Sequence, residues 1–246
     1  MRIHICAVNE TGKNYAWQGA MIRNLHVLRV NEVDLDDPSG IVDKLQILSA
    51  DQPPLILTGN RCKLATMLKQ KILFQFLAQE ERARMELFYH LSDRQRFAIG
   101  RIMLRAVLGY WLSVEPYSVI VNIGSHGKPY CQDGPFFNIS HSGDCIALAI
   151  HPSRSIGIDV EQVRYHEAWT EMAEMLWPDI VIKQIRSFPV HEQSREFLNQ
   201  WCQYEATTKA LGLGLSAQGV NWASEKPCQL WNLLLPEGYL GYAAML

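Results

Sequence analysis

Gly157-Ile158-Asp159-Val160-Glu161 sets two carboxylates two residues apart. On a β-strand alternate side chains share a face, so Asp159 and Glu161 point one way while Ile158 and Val160 point into a core. Neighbouring carboxylates repel each other unless a proton or cation stands between them. Magnesium suits such a pair, because it takes one or two carboxylates together with substrate phosphates. Taken alone, D-x-E reads more plainly as a solvent-facing strand edge.

Trp201, Glu205 and Lys209 follow at four-residue spacing, which places them on one face of a helix. Glu205 offers a third carboxylate, and Lys209 a cation for a phosphate or for positioning a nucleophile. A surface ion pair one helical turn apart, worth about 0.2–0.5 kcal/mol, gives the same spacing. Phe136-Phe137-Asn138-Ile139-Ser140-His141-Ser142-Gly143 ends an apolar run in a polar turn. His141 at its tip can bind phosphate or carry a proton, and the same residues also suit a turn whose side chains satisfy the backbone. His141 and Ser142 are adjacent, which is poor geometry for a hydrolase triad, and no G-x-S-x-G elbow is present. Arg82, Arg84, Arg94, Arg96, Arg101 and Arg105 cluster in sequence, and guanidinium forks match phosphate geometry.

Such residues need strands and helices to hold them. Arg2–Val8 and Val27–Val33 read as strands, and Asp34–Gly40 and Ala50–Pro54 as loops. Arg61–Leu87 is mostly helical in pattern. A longer helix follows, with Ser92 as N-cap and Gln95 completing a capping box. Val119–Ile123, Phe136–Ser140, Cys145–Ile150 and Ile156–Glu161 read as short strands. Glu167–Trp177 is a helix stopped by Pro178. Ser194 is placed to cap a helix over Arg195–Leu211, which Gly212 ends. Gln229–Leu233 and Tyr239–Ala244 complete the strands. The pattern gives an α+β chain in two halves, each with strands beside one long helix, divided into residues 1–125 and 126–246.

Bulk properties narrow the function. The 246 residues are 48% hydrophobic and 20% charged, enough for a sizeable core. A net charge of −2 argues against a general nucleic-acid binder. The six cysteines form no C-x-x-C pair and point to scattered thiols in a reducing compartment. No signal-peptide pattern or membrane-length apolar run is present in the sequence, so a cytoplasmic protein without a membrane partner is expected.

These signals occur in one order: Gly127-Lys128-Pro129, then Phe137–Ser142, then Gly157–Glu161, then Trp201, Glu205, Lys209 and Gly212. That order resembles the Sfp-type 4′-phosphopantetheinyl transferases, whose pattern is G-K-P, F-N-I-S-H-S, G-I-D-x-E and W-x-x-x-E-x-x-x-K-x-x-G. Upstream, Arg84, Phe88-Tyr89-His90, Arg96, Gly100 and Arg105 look like the family's basic helix region. The resemblance spans residues 80–215 and leaves 10–75 unaligned.

The resemblance implies two similar α+β halves, each a small, mostly antiparallel sheet packed on a long helix, with coenzyme A in the cleft between them. It implies a magnesium ion (Mg2+) on Asp159, Glu161 and Glu205. His141 and Lys209 would contact phosphates, Arg84 and Arg96 the 3′-phosphate end, and Lys128, Pro129 and Ser140 the adenine pocket. A serine of an acyl or peptidyl carrier protein would attack the β-phosphate and release adenosine 3′,5′-bisphosphate, with Glu205 or a metal-bound water as base. Where the family often has F-S-x-x-E, this chain reads Met175-Leu176-Trp177-Pro178-Asp179, making Asp179 the stand-in acid. A monomer is expected, because both halves lie in one chain. The competing readings are another magnesium-dependent phosphate or phosphodiester hydrolase, and a carrier-binding module without chemistry.

Overall fold

The computed structural model describes residues 22–25, 28–29, 35, 37–165, 168–213 and 229–246. The expected strand at Arg2–Val8, and most of that at Val27–Val33, lie outside these residues. The described strands are β1 (Ile22–Leu25), β2 (Leu28–Arg29), β3 (Leu55–Asn60), β4 (Asn122–Ile123), β5 (Pro129–Tyr130), β6 (Phe136–Ser142), β7 (Cys145–His151), β8 (Ile156–Gln162), β9 (Gln229–Leu233) and β10 (Tyr239–Met245). The helices are α1 (Ser39–Gln46), α2 (Arg61–Leu64), α3 (Gln70–Phe76), α4 (Gln79–Glu86), α5 (Leu91–Leu112), α6 (Trp169–Leu176), α7 (Asp179–Arg186) and α8 (Val190–Leu211).

Two four-stranded sheets carry the fold, in the orders β2-β3-β7-β6 and β1-β9-β10-β8. Pairing is antiparallel except for β1 with β9 and β2 with β3, which are parallel. β6 and β7 follow the expected division at residues 125–126, yet they share a sheet with β3, which precedes it.

Alternation of side chains explains the layering. One face of β7, with Ile146, Leu148 and Ile150, packs on Ile99, Ile102 and Met103 of α5. Its opposite face, with Cys145, Ala147 and Ala149, meets Ile158 and Val160 of β8 and Trp231 of β9. The outer face of the second sheet, with Leu230, Tyr242 and Ala244, receives Cys202, Ala206 and Ala210 of α8. The order across the molecule is therefore helix, sheet, sheet, helix. Each fully buried aliphatic side chain in these layers contributes about 1.5–3 kcal/mol.

Several local expectations change for physical reasons. α5 starts at Leu91 with His90 as its N-cap, and Gln95 accepts from Arg61 Nη1 at 2.7 Å instead of closing a capping box with Ser92. α8 starts at Val190 with Pro189 as N-cap, so Ser194 lies inside the helix, where its hydroxyl donates to the Arg164 carbonyl. α1 replaces the end of the expected Asp34–Gly40 loop. The strand expected over Val119–Ile123 shrinks to β4, since Arg105 takes the carbonyls of Pro116 (2.7 Å) and Val119 (3.0 Å) out of strand pairing. Gly212 does end α8, at φ 74°, a left-handed conformation that glycine adopts without steric cost.

Candidate active site

Gly157 sets the geometry of the site. A Cβ there would stand 2.0 Å from the Ala206 carbonyl oxygen and 2.3 Å from the Ala210 nitrogen. The backbone of α8 therefore crosses β8 in direct contact. Because Gly157, Asp159 and Glu161 share one face of β8, the helix is laid beside both carboxylates. Spacing along α8 then brings Trp201, Glu205 and Lys209 to the same place.

The opposite wall comes from α4 and α5, and β6 runs between. A cleft of about 440 Å³ is lined by Arg84, Arg96, Phe97, Gly100, Arg101, Pro129, Asn138, Ile139, Ser140, His141, Asp159, Glu161, Trp201, Glu205 and Lys209. Most residues singled out from the sequence meet in this cleft. Two of them sit elsewhere. Lys128 Nζ donates to the Ile156 carbonyl (2.9 Å), Ser155 Oγ (3.2 Å) and the Ala210 carbonyl (3.4 Å). It pins the start of β8 to the C-terminal turn of α8, where a cation meets the negative end of the helix dipole. Burial brings its pKa down to about 8. Asp179 is exposed at the first turn of α7, away from the cleft lining.

The acidic side is incompletely satisfied. Lys209 Nζ lies 2.6 Å from Asp159 Oδ1 and 3.5 Å from Glu205 Oε2. Ser140 Oγ donates to the same Asp159 oxygen at 2.9 Å, and Ser142 Oγ to Glu161 Oε2 at 2.6 Å. Asp159 Oδ2 and Glu205 Oε1 are buried with no hydrogen-bond partner. Such groups are costly to leave unmet. Burial raises the pKa of Glu161, with the charge of Asp159 adding to it, and burial likewise raises that of Glu205. Burial opposes the charge on Lys209, but Asp159 and Glu205 outweigh it and hold that amine above its ordinary value. Among the described residues, no three His, Cys, Asp or Glu side chains already stand as a closed metal cage. Lys209 is the cation drawn between Asp159 and Glu205. Two unmet carboxylate oxygens beside Glu161 are hard donors of the kind magnesium takes, so the residue set fits such an ion.

The basic side is largely satisfied. Arg96 donates to the Gly143 carbonyl at 2.9 Å and pairs with Asp93. Arg84 lies over the Phe97 ring at 5.5 Å, and Arg101 lies over it at 5.7 Å while approaching Glu81 at 3.6 Å. Arg105 pairs with Glu81 beneath them and is buried. Packing around its ring, then the charges of Arg96 and Lys209, hold the pKa of His141 below the ordinary imidazole value. Sequence reasoning placed Arg101 only in a general cluster and did not reach Phe97 or Ile139 as lining residues. The periodicity of α5 was a usable signal for Phe97 and Arg101, which lie one turn apart beside Gly100.

Comparison with known families meets this geometry. Residues 65–153 match the sequence model described as 4′-phosphopantetheinyl transferase, N-terminal. Residues 155–232 match that of the 4′-phosphopantetheinyl transferase superfamily. The chain belongs to the Sfp-type 4′-phosphopantetheinyl transferase family, as its ordered motifs anticipate. It is 34% identical over 145 residues to 4′-phosphopantetheinyl transferase HetI of Nostoc sp., covering 57% of this chain and 61% of that one. It is 33% identical over 154 residues to a phosphopantetheinyl transferase of Thraustochytrium sp., covering 56% and 54% respectively. Sfp of Bacillus subtilis is 29% identical over 143 residues, covering 57% and 62%. The chain thus spans about three fifths of the length of these relatives. The hydrolase and binding-module readings are not favoured by these relationships.

Proposed function

We propose that this chain transfers the 4′-phosphopantetheine arm of coenzyme A to a serine of an acyl or peptidyl carrier protein. The observation that carries the reading is the pair of buried, unpartnered oxygens on Asp159 and Glu205, facing an arginine wall across one cleft. Generic phosphate binding needs only the arginines. The unmet carboxylates call for a cation that can bridge to a pyrophosphate.

In this reading Arg84 and Arg96 take the 3′-phosphate end of coenzyme A, and Pro129 and Ser140 border its adenine. His141 and Lys209 meet the phosphates. An anion beside His141 would favour its protonated form, reversing the present downward shift. Asp159, Glu161 and Glu205 would hold magnesium, which when bound neutralises charge developing on the pyrophosphate. The carrier serine attacks the β-phosphate and adenosine 3′,5′-bisphosphate leaves. The serine proton needs an acceptor; Glu205 Oε1, buried, unpartnered and on a carboxyl with a raised pKa, is the one this chain offers, alongside a water on the metal. Lys128 serves from behind, by fixing β8 against α8.

We further read the molecule as two halves around the cleft, acting as a monomer, because both walls come from one chain. A cytoplasmic setting is consistent with the absence, among the described residues, of any helix long and apolar enough to cross a membrane. The test is the intact mass of apo carrier proteins incubated with the chain, coenzyme A and Mg2+. A gain of one phosphopantetheine, abolished by a chelator, is the expected result. Coenzyme A binding without a mass gain on any carrier would overturn the transferase reading.

A further inference from the structure

β6 and β8 are edge strands of different sheets, and among the described residues no backbone pairing joins them. An edge strand leaves half its N–H groups unmet. On β8 those of Ile158, Val160 and Gln162 point toward β6, and side chains of β6 meet each one. Asn138 Oδ1 accepts from Ile158 at 2.9 Å, Ser140 Oγ from Val160 at 3.4 Å, and Ser142 Oγ from Gln162 at 3.1 Å. The three residues are buried and alternate along one face of β6.

A serine hydroxyl has one proton. Once its lone pair is taken by a backbone N–H, its orientation is fixed and the proton is left for another acceptor. Ser140 gives it to Asp159 and Ser142 gives it to Glu161. Each serine therefore reads two consecutive residues of β8, one through its amide and one through its carboxylate. Asp159 also has Lys209 on the same oxygen, whereas Glu161 is held by Ser142, at a length typical of a charge-assisted bond.

We propose that Ser142 is a positioning residue for Glu161: clamped between the Gln162 amide and Glu161 Oε2, it turns that carboxylate to serve as a divalent-cation ligand. This rests on the reading that the acidic wall of the cleft takes such an ion. Partners that orient a ligating carboxylate typically change metal affinity 10–100-fold when removed.

The probe is Mn2+, titrated against the full chain at saturating coenzyme A and followed by electron paramagnetic resonance. We expect Ser142→Ala to weaken Mn2+ binding about tenfold and Ser142→Thr, which keeps the hydroxyl, to restore most of it. Coenzyme A affinity in chelator should be the same in all three proteins, which a general loosening of the seam would not allow. No Mn2+ binding by the unsubstituted chain would overturn the metal reading itself. Mn2+ binding that is equal in the chain and Ser142→Ala, or equally weak in the Ala and Thr variants, would overturn the role of Ser142 alone.

Discussion

The two walls of the cleft are built on opposite terms. The arginine wall on α4 and α5 is answered from within: Arg96 by Asp93 and the Gly143 carbonyl, Arg101 and Arg105 by Glu81, Arg84 by the Phe97 ring. The carboxylate wall on β8 and α8 holds three acids against one internal cation, Lys209, and leaves two buried oxygens unmet. Pre-paired arginines are held in place to receive an anion with little reordering. Unmet acids leave a cost that only an added cation removes. The basic wall is thus a ready receptor, and the acidic wall is the incomplete one.

Removing the incomplete wall's chemistry should have the largest effect. Asp159→Ala is expected to lower the rate of carrier modification on the order of 10²-fold or more, measured by carrier mass against time. Full activity in that variant would end the assignment of the acidic wall. Gly157→Ala attacks the same wall through packing. Its new methyl meets the backbone of α8, so the helix must move off β8, costing about 3 kcal/mol. A chemical denaturation midpoint unchanged from the parent chain would contradict that account.

Effects on the prepared wall should be smaller and confined to binding. Arg84→Ala is expected to raise KM for coenzyme A about tenfold with kcat little altered, the pattern of lost uniform binding. A fall in kcat with unchanged KM would place Arg84 in the chemistry instead. Smallest is a pH effect. Burial holds the folded-state pKa values of Glu161 and Glu205 above 4.5. The folded chain then binds these protons more readily than the unfolded chain. Their contribution is present below pH 4.5 and is lost as pH rises through the raised folded values. In chelator, Glu205→Gln should lose less stability than the parent between pH 4.5 and neutrality, read from denaturation midpoints. An identical slope in both would show that Glu205 is not strained by burial.

Much of the acidic wall was legible because it depends on short periods. Asp159 and Glu161 share a face by strand alternation, and Trp201, Glu205 and Lys209 by helix repeat. Both patterns survive into the fold, as do β6, β7 and β8 nearly to the residue. What was not legible is tertiary. The glycine in G-I-D-x-E reads as a turn or bulge signal until α8 is seen lying on it. Lys128 sits beside Pro129 in sequence, but its amine is claimed by the Ile156 and Ala210 carbonyls, reached only in three dimensions. The polar face of β6 was open to two readings, turn satisfaction or site chemistry. It serves both, since Ser140 and Ser142 each accept from the backbone and donate to a carboxylate. Helix starts failed at Ser92 and Ser194, where a neighbouring His90 or Pro189 took the boundary.

The central claim is that the acidic wall is completed by a divalent cation acting with coenzyme A. Calorimetric titration of coenzyme A into the chain, with Mg2+ and then with chelator, tests it most directly. The account predicts substantially tighter binding with Mg2+, and loss of that difference in Asp159→Ala. Equal affinity in both conditions would contradict it.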